Sequence, residues 1–160
     1  MDLYGEEKYW EARYSGYISF TRIKDHFDWY QRWVCIKDTI ANTIRKSDLI
    51  LNVGSGVSRL AEEMYVDGYE RVISIDVSLI AVKFMNDKCR HKKEEFKCRL
   101  ELLDEIMDIK NITYDEGKFD TIIDKATIDC FFVDTNHAVW RRLWRNRAPY
   151  SQTVLQGVEA

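Results

Sequence analysis

At 160 residues the chain can enclose one hydrophobic core but not two. Its 46% hydrophobic and 32% charged residues argue against a disordered chain, and no apolar run reaches the ~18 residues that a membrane span requires. The net charge of -3 carries no basic excess for nucleic acid, and the acidic, aromatic start MDLYGEEKYW is unlike a secretory signal. A cytoplasmic or nuclear protein with no membrane partner, and with nucleic acid a disfavoured one, is expected. Cys35, Cys89, Cys98 and Cys130 form no CxxC pair, and His26, His91 and His137 fall in separate segments, so reduced thiols and no metal are expected.

Ten aromatic residues crowd into the first 33 positions without a steady period, which predicts short helices and turns packed on a core or on a flat ligand. Residues 31–46 read as a helix, because Trp33, Ile36, Ile40 and Ile44 make one apolar stripe. Leu49–Val53 is a nearly continuous apolar run, the mark of a strand buried on both faces of a parallel sheet. A Gly54-Ser55-Gly56 turn follows, then a helix from about Ser58 with Leu60, Ala61, Met64 and Tyr65 inward and Glu62 and Glu63 outward, stopped at Gly68. Arg71–Asp76 is a second buried strand, and Ser78 can cap a helix carrying Val82, Met85 and Cys89. The basic run Lys88–Lys93 reads as the solvated end of that helix. Residues 99–103 and 119–124 are the third and fourth strands.

Alternating strands and helices predict an α/β domain with a doubly wound, Rossmann-like parallel sheet. Residues 1–160 are read as one partial domain: an aromatic cap and helix over 1–47, a core over 48–135 and a basic, aromatic tail over 136–160.

In such sheets ligands bind outside the carboxyl ends of the strands. Three ends carry signals. Glycines at 54 and 56 let the chain turn sharply and let a ligand approach the backbone. Asp76, 22 residues after Gly54, is placed to accept hydrogen bonds from the two hydroxyls of a ribose. Met107 and Asp108 fall where an adenine would lie, with Asp104 and Glu105 competing for the acidic role. An adenosine-containing ligand fits all three. A nicotinamide dinucleotide would want a third glycine where Arg59 stands, which argues against an oxidoreductase.

Five segments, in order, resemble one family. Tyr9-Trp10-Glu11-Ala12-Arg13-Tyr14 is similar to its YWE/D-x-R-Y box and Phe27-Asp28-Trp29-Tyr30 to its F/Y-x-W-Y box. Asn52–Ser58 resembles its G-C-G-N-S loop, Tyr65–Ser78 its helix–turn–strand segment ending in IDxS, and Phe119–Asp129 its F-D-x-V-L-D/E-K-G-T-L-D motif. The family is that of the class I S-adenosylmethionine-dependent lysine methyltransferases acting on translation elongation factor 1-alpha, the methyltransferase-like protein 13 group. The resemblance covers about residues 7–135 and implies S-adenosyl-L-methionine as cofactor and elongation factor 1-alpha as protein substrate. It implies that Trp10, Tyr14 and Trp29 line the cofactor pocket and that Gly54 and Gly56 turn near the methionine moiety. Asp76 would hold the ribose, Val77 would lie on the adenine with Met107 and Asp108 beside it, and Lys125 would close the site. Asp129 is taken as a substrate-side acid that receives the proton of the methyl acceptor. Two positions depart from the pattern: Val57 replaces an asparagine, and Ala126 replaces the glycine of K-G-T.

The family's sheet runs 3-2-1-4-5-7-6, but after residue 135 there is no Gly-Gly turn and no legible strand five, six or seven. The fourth strand is therefore expected at an open edge, with residues 137–147, four arginines around Trp140 and Trp144, as an amphipathic helix covering it. A catalytically inert cofactor-binding or interaction module is the alternative to an active methyltransferase.

Overall fold

The computed structural model describes residues 4–16, 26–91, 104–131 and 147–156. In chain order these form α1 (Glu7–Tyr14), α2 (Trp33–Ile40), β1 (Ile50–Val53), α3 (Leu60–Val66), β2 (Val72–Asp76), α4 (Leu79–His91), β3 (Glu105–Ile106), β4 (Phe119–Lys125) and β5 (Arg147–Gln156). Two 3-10 turns lie at Ile109–Asn111 and Ile128–Phe131. The strands make one sheet in the order β3-β2-β1-β4-β5, and every neighbouring pair is parallel.

This is the α/β parallel sheet expected from the alternation of elements. Both faces are covered, so the strands read as apolar runs: all four residues of β1 are buried, as are four of the five in β2. Ile50, Val72 and Ile123 pack with Trp33, Ile36 and Ile40 of α2 and Leu60 and Met64 of α3. Leu51, Val53, Ile75, Phe119 and Ile122 belong to a second cluster closed by Ile109, Ile112 and Ile128. Each such side chain stabilises the fold by about 1.5–3 kcal/mol relative to exposure. Register then sets the geometry of the site. Val53 lies opposite both Ile75 and Asp124, so β1, β2 and β4 finish side by side, with Gly54, Asp76 and Lys125 at their ends.

Local chemistry explains the boundaries. Gly68 leaves α3 with φ 94°, its N–H bonded to the Tyr65 carbonyl, and the Ser78 hydroxyl accepts from Ala81 N at 3.2 Å to cap α4. The helix expected over 31–46 is regular only over 33–40. Beyond it, the Asp48 carboxylate takes the backbone N–H and the guanidinium of Arg45, each at 3.0 Å, and so competes with the helical carbonyls.

The open edge expected at β4 is corrected: β5 pairs with it in parallel, from Phe119↔Arg147 to Lys125↔Gln156, so a fifth strand is present. The unpaired amides and carbonyls of an edge strand offer a template for such pairing. Pro149 and the polar residues around it hid that strand in the sequence. The helix read over 137–147 falls almost wholly outside the described residues, as does the strand read over 99–103; the third strand observed is the two-residue β3 just after it. Glu62 and Glu63 are not out in solvent. Their side chains are only 14% and 15% exposed, beside Arg59 and Arg32. Cys35 and Cys130 are free thiols, but Cys89 is disulfide-bonded, where a reduced thiol was expected. Spacing alone does not show which thiols a fold brings together.

Ala126, directly after β4, has φ 72°, the left-handed region that the family's glycine enters without cost. Ala126→Gly is expected to stabilise the fold by about 1 kcal/mol, measured as a shift in the denaturant midpoint at unchanged slope.

Candidate functional site

One cleft of about 840 Å³, open solvent at its mouth included, sits over the level ends of β1, β2 and β4. Trp10, Tyr14, Trp29, Gly54, Gly56, Asp76, Val77, Met107, Asp108 and Lys125 all line it. The fold thus brings together, in one place, ten residues drawn from six separate segments. Asp129 is not among the lining residues.

The floor is the turn after β1. Gly54 and Gly56 have φ 59° and 54°, which side-chain-bearing residues rarely adopt. A Cβ on Gly54 would fall 1.9 Å from the Thr127 hydroxyl, and one on Gly56 would fall 2.6 Å from that of Tyr14. Both glycines are therefore required by contact as well as by backbone angle. Thr127 Oγ1 donates to the Val53 carbonyl at 2.9 Å, joining the end of β1 to the turn beyond β4.

Asp76 closes the side of this turn. One carboxylate oxygen accepts from Gly56 N and the other from Ser78 N, both at 2.8 Å. The residue is 7% exposed yet lines the cleft. Burial pushes its carboxyl upward in pKa, against the pull of those amide hydrogen bonds. A second buried acid lies beneath the turn: Asp104 accepts from the Ser55 hydroxyl at 2.9 Å, and burial with the Asp76 charge nearby raises it to about 7.

The acids competing at the adenine end are now separated. Asp104 is under the glycine turn, Glu105 is exposed and accepts from the Tyr114 hydroxyl at 2.7 Å, and Asp108 reaches the cleft. The Asp108 carboxylate accepts from Lys110 N at 2.8 Å, capping the 3-10 turn that carries Ile109 into the lining. Val77, Met107 and Ile109 leave an apolar slot there.

The N-terminal segments form the roof. Trp10 and Tyr14, four residues apart on α1, stack at 5.9 Å and 29°, with the Trp10 indole donating to Tyr4 O at 2.7 Å. Burial and the Asp76 charge raise the Tyr14 phenol, keeping it protonated. Glu11 accepts from Ile80 N at 3.3 Å, so α1 is anchored on the start of α4. The Val57 carbonyl accepts from Phe27 N at 3.2 Å and lies 3.1 Å from His26 Nδ1. The Val57 side chain packs with Ala81 and Met85, an apolar contact in place of the family's asparagine.

Lys125 lines the cleft but sends its ammonium to the roof, donating to the Asp28 carboxylate at 3.0 Å and to the Trp29 carbonyl at 2.9 Å. Its side chain is 5% exposed and that of Asp28 11%. Asp129 sits outside the lining, its carboxylate accepting from the Tyr30 hydroxyl at 2.7 Å. Cys130, next to it, does line the cleft; burial and the charges of Asp129 and Asp124 push its thiol up to about 11, so it is a neutral wall. Asp28, Tyr30 and Thr127 read in the sequence only as motif letters, because Lys125, Asp129 and Val53, to which they bond, lie 97, 99 and 74 positions away. Among the described residues no group of His, Cys, Asp and Glu could hold a metal, and no helix is long and apolar enough to cross a membrane.

A family model described as a methyltransferase domain matches residues 44–159, and the chain belongs to that methyltransferase family. Among curated proteins it is similar to EEF1A lysine methyltransferase 4 of Bos taurus, 29% identical over 126 residues, which are 79% of this chain and 45% of that protein. It therefore spans less than half the length of that relative. Among solved structures, one described as the conversion of a disulfide bond into a thioacetal group during echinomycin biosynthesis superposes with a TM-score of 0.74 at 23% identity, over 93% of this chain and 59% of that one. A SAM-dependent methyltransferase from Methanosarcina mazei gives 0.62 at 17%, over 81% and 57%. These two carry the fold alone.

Asp104 yields a test of the buried acids. Its folded pKa of about 7 lies above the ~3.9 of an unfolded aspartate, so its contribution is fully present below ~4 and is lost as pH rises through about 7. Asp104→Asn, which keeps an oxygen for Ser55, is expected to match the wild type near pH 4. It should then gain over the wild type up to pH 8, by an amount on the order of 4 kcal/mol. Denaturant titrations along that pH series check it.

Proposed function

We propose that this cleft binds S-adenosyl-L-methionine and serves methyl transfer to a lysine of a protein substrate, elongation factor 1-alpha, in the cytoplasm. The observation that carries the reading is the meeting of Asp76 with the Gly54–Gly56 turn beneath the Trp10 and Tyr14 rings.

The residues present fit that cofactor. Asp76 spends one lone pair of each oxygen on an amide and keeps others for two ribose hydroxyls. Val77, Met107 and Ile109 suit the faces of an adenine, and Asp108 could accept from its exocyclic amine. The glycine turn exposes backbone to the methionine end, with Tyr14, Trp29 and Trp10 above it. The cofactor, when bound, supplies an electrophilic methyl group on a sulfonium.

The chain's own residues supply position and exclude water. The aromatic roof dries the cleft, and a dry site disfavours an ammonium, which helps a lysine of pKa ~10.4 become the neutral nucleophile. Within the cleft the neutral Cys130 thiol and the raised Tyr14 phenol add no competing charge. The proton-acceptor role expected of Asp129 would require a carboxylate at the methyl acceptor, and Asp129 stands outside the lining, so no step is assigned to it.

The test is incubation with methyl-labelled S-adenosylmethionine and purified elongation factor 1-alpha. Label on a lysine of the factor, faster at pH 9 than at pH 7, is expected. Cofactor binding with no transfer would leave a cofactor-binding module and refute the transfer reading.

A further inference from the structure

The roof segment 26–32 is fastened to the rest of the molecule at almost every residue, and the fastenings have a pattern. Asp28 and Tyr30 flank Trp29. The Asp28 carboxylate accepts from the Ser58 hydroxyl and, at 3.0 Å, from Lys125 Nζ. The Tyr30 hydroxyl donates to Asp129 at 2.7 Å. Lys125 also holds the carbonyl of Trp29 itself, and the Arg13 guanidinium of α1 lies 5.1 Å from the centroid of the Trp29 ring. Two bridges, one buried and one exposed, thus run from the segment to β4 and the turn after it, and Trp29 hangs between them in the cleft lining.

The backbone shows that Tyr30 is held where it would not rest. It has φ 61°, a left-handed angle that is costly for a ring-bearing residue, while its side chain is mostly in solvent and the residue is 59% exposed. Core packing does not account for such a conformation at so exposed a site. What holds the residue is the bond that its hydroxyl donates to Asp129, just beyond β4.

We infer that Asp28, Tyr30 and Asp129 are positioning residues which strap Trp29 over the bound cofactor, acting through that ring rather than on the reacting atoms. The inference rests on the cofactor reading above and adds to it the device that closes the roof. It reassigns Asp129 from proton acceptor to anchor. The short separation in sequence between Asp28, Trp29 and Tyr30 lets one extended-then-turned segment present two anchors and a ring. Strapping the ring before the ligand arrives removes ordering that binding would otherwise have to supply.

Asp28→Asn strips the partner from a buried ammonium and can unfold the chain, so Tyr30→Phe and Asp129→Ala carry the test. Calorimetry of the full chain with S-adenosylhomocysteine is the measurement, with thermal melting of each unliganded variant beside it. Each single variant is expected to weaken affinity about fivefold, the worth of one hydrogen bond, at an unchanged melting temperature. The double variant should be no weaker than either single, and neither change should matter once Trp29→Ala has been made. Additive losses, or wild-type affinity in Tyr30→Phe, would overturn the strap while leaving the cofactor reading intact. A wild-type chain that does not bind the ligand refutes that reading and the strap together.

Discussion

The carboxylate of Asp76 joins the end of one strand to the turn that follows another. Gly56 N–H on one oxygen and Ser78 N–H on the other make it the pin between β1, β2 and α4. It is a costly pin, since burial raises its pKa, and its charge helps raise that of the buried Asp104 in turn. A carboxylate kept in such a place, lining a cleft, is a site with a polar task. Register does the rest: because Val53 stands opposite Ile75 and Asp124, the glycine turn, the acid and Lys125 must emerge together.

Stability and function meet again at the roof. Lys125 emerges at the cleft, yet its charge is satisfied by Asp28 and by the Trp29 carbonyl rather than left for a ligand. A buried ion pair of this kind contributes little net stability, because desolvation offsets the attraction, but breaking it is expensive. It therefore fixes where the N-terminal segment sits more than how firmly the domain folds. The left-handed Ala126 and Tyr30 lie on the two sides of that junction, which places backbone strain beside the cleft and not in the core.

Much of this was legible in the sequence. The buried strands could be read from Leu49–Val53 and Arg71–Asp76 because a parallel sheet covered on both faces leaves an apolar run. The glycine turn and Asp76 could be read because positive φ and an acid at a strand end are local requirements. What could not be read depends on distance along the chain. The β5 pairing, the disulfide at Cys89 and the tie from Tyr30 to Asp129 have no local signature, since nothing near each partner in the sequence names the other. Asp129 illustrates the point: an acid after the fourth strand suggests chemistry, and the phenol of Tyr30 that it accepts from lies 99 positions away. The helix limits of α2 were lost for a similar reason, as the competing carboxylate of Asp48 lies beyond the periodic stretch.

The account stands or falls on a nucleoside held by Asp76. Calorimetry with S-adenosylmethionine and, separately, with NAD, on the wild-type chain and on Asp76→Ala, addresses it most directly. Saturable binding of the sulfonium cofactor, no heat with NAD and at least a tenfold loss of affinity in Asp76→Ala are predicted. Equal affinity in the two chains, or a preference for the dinucleotide, would contradict it.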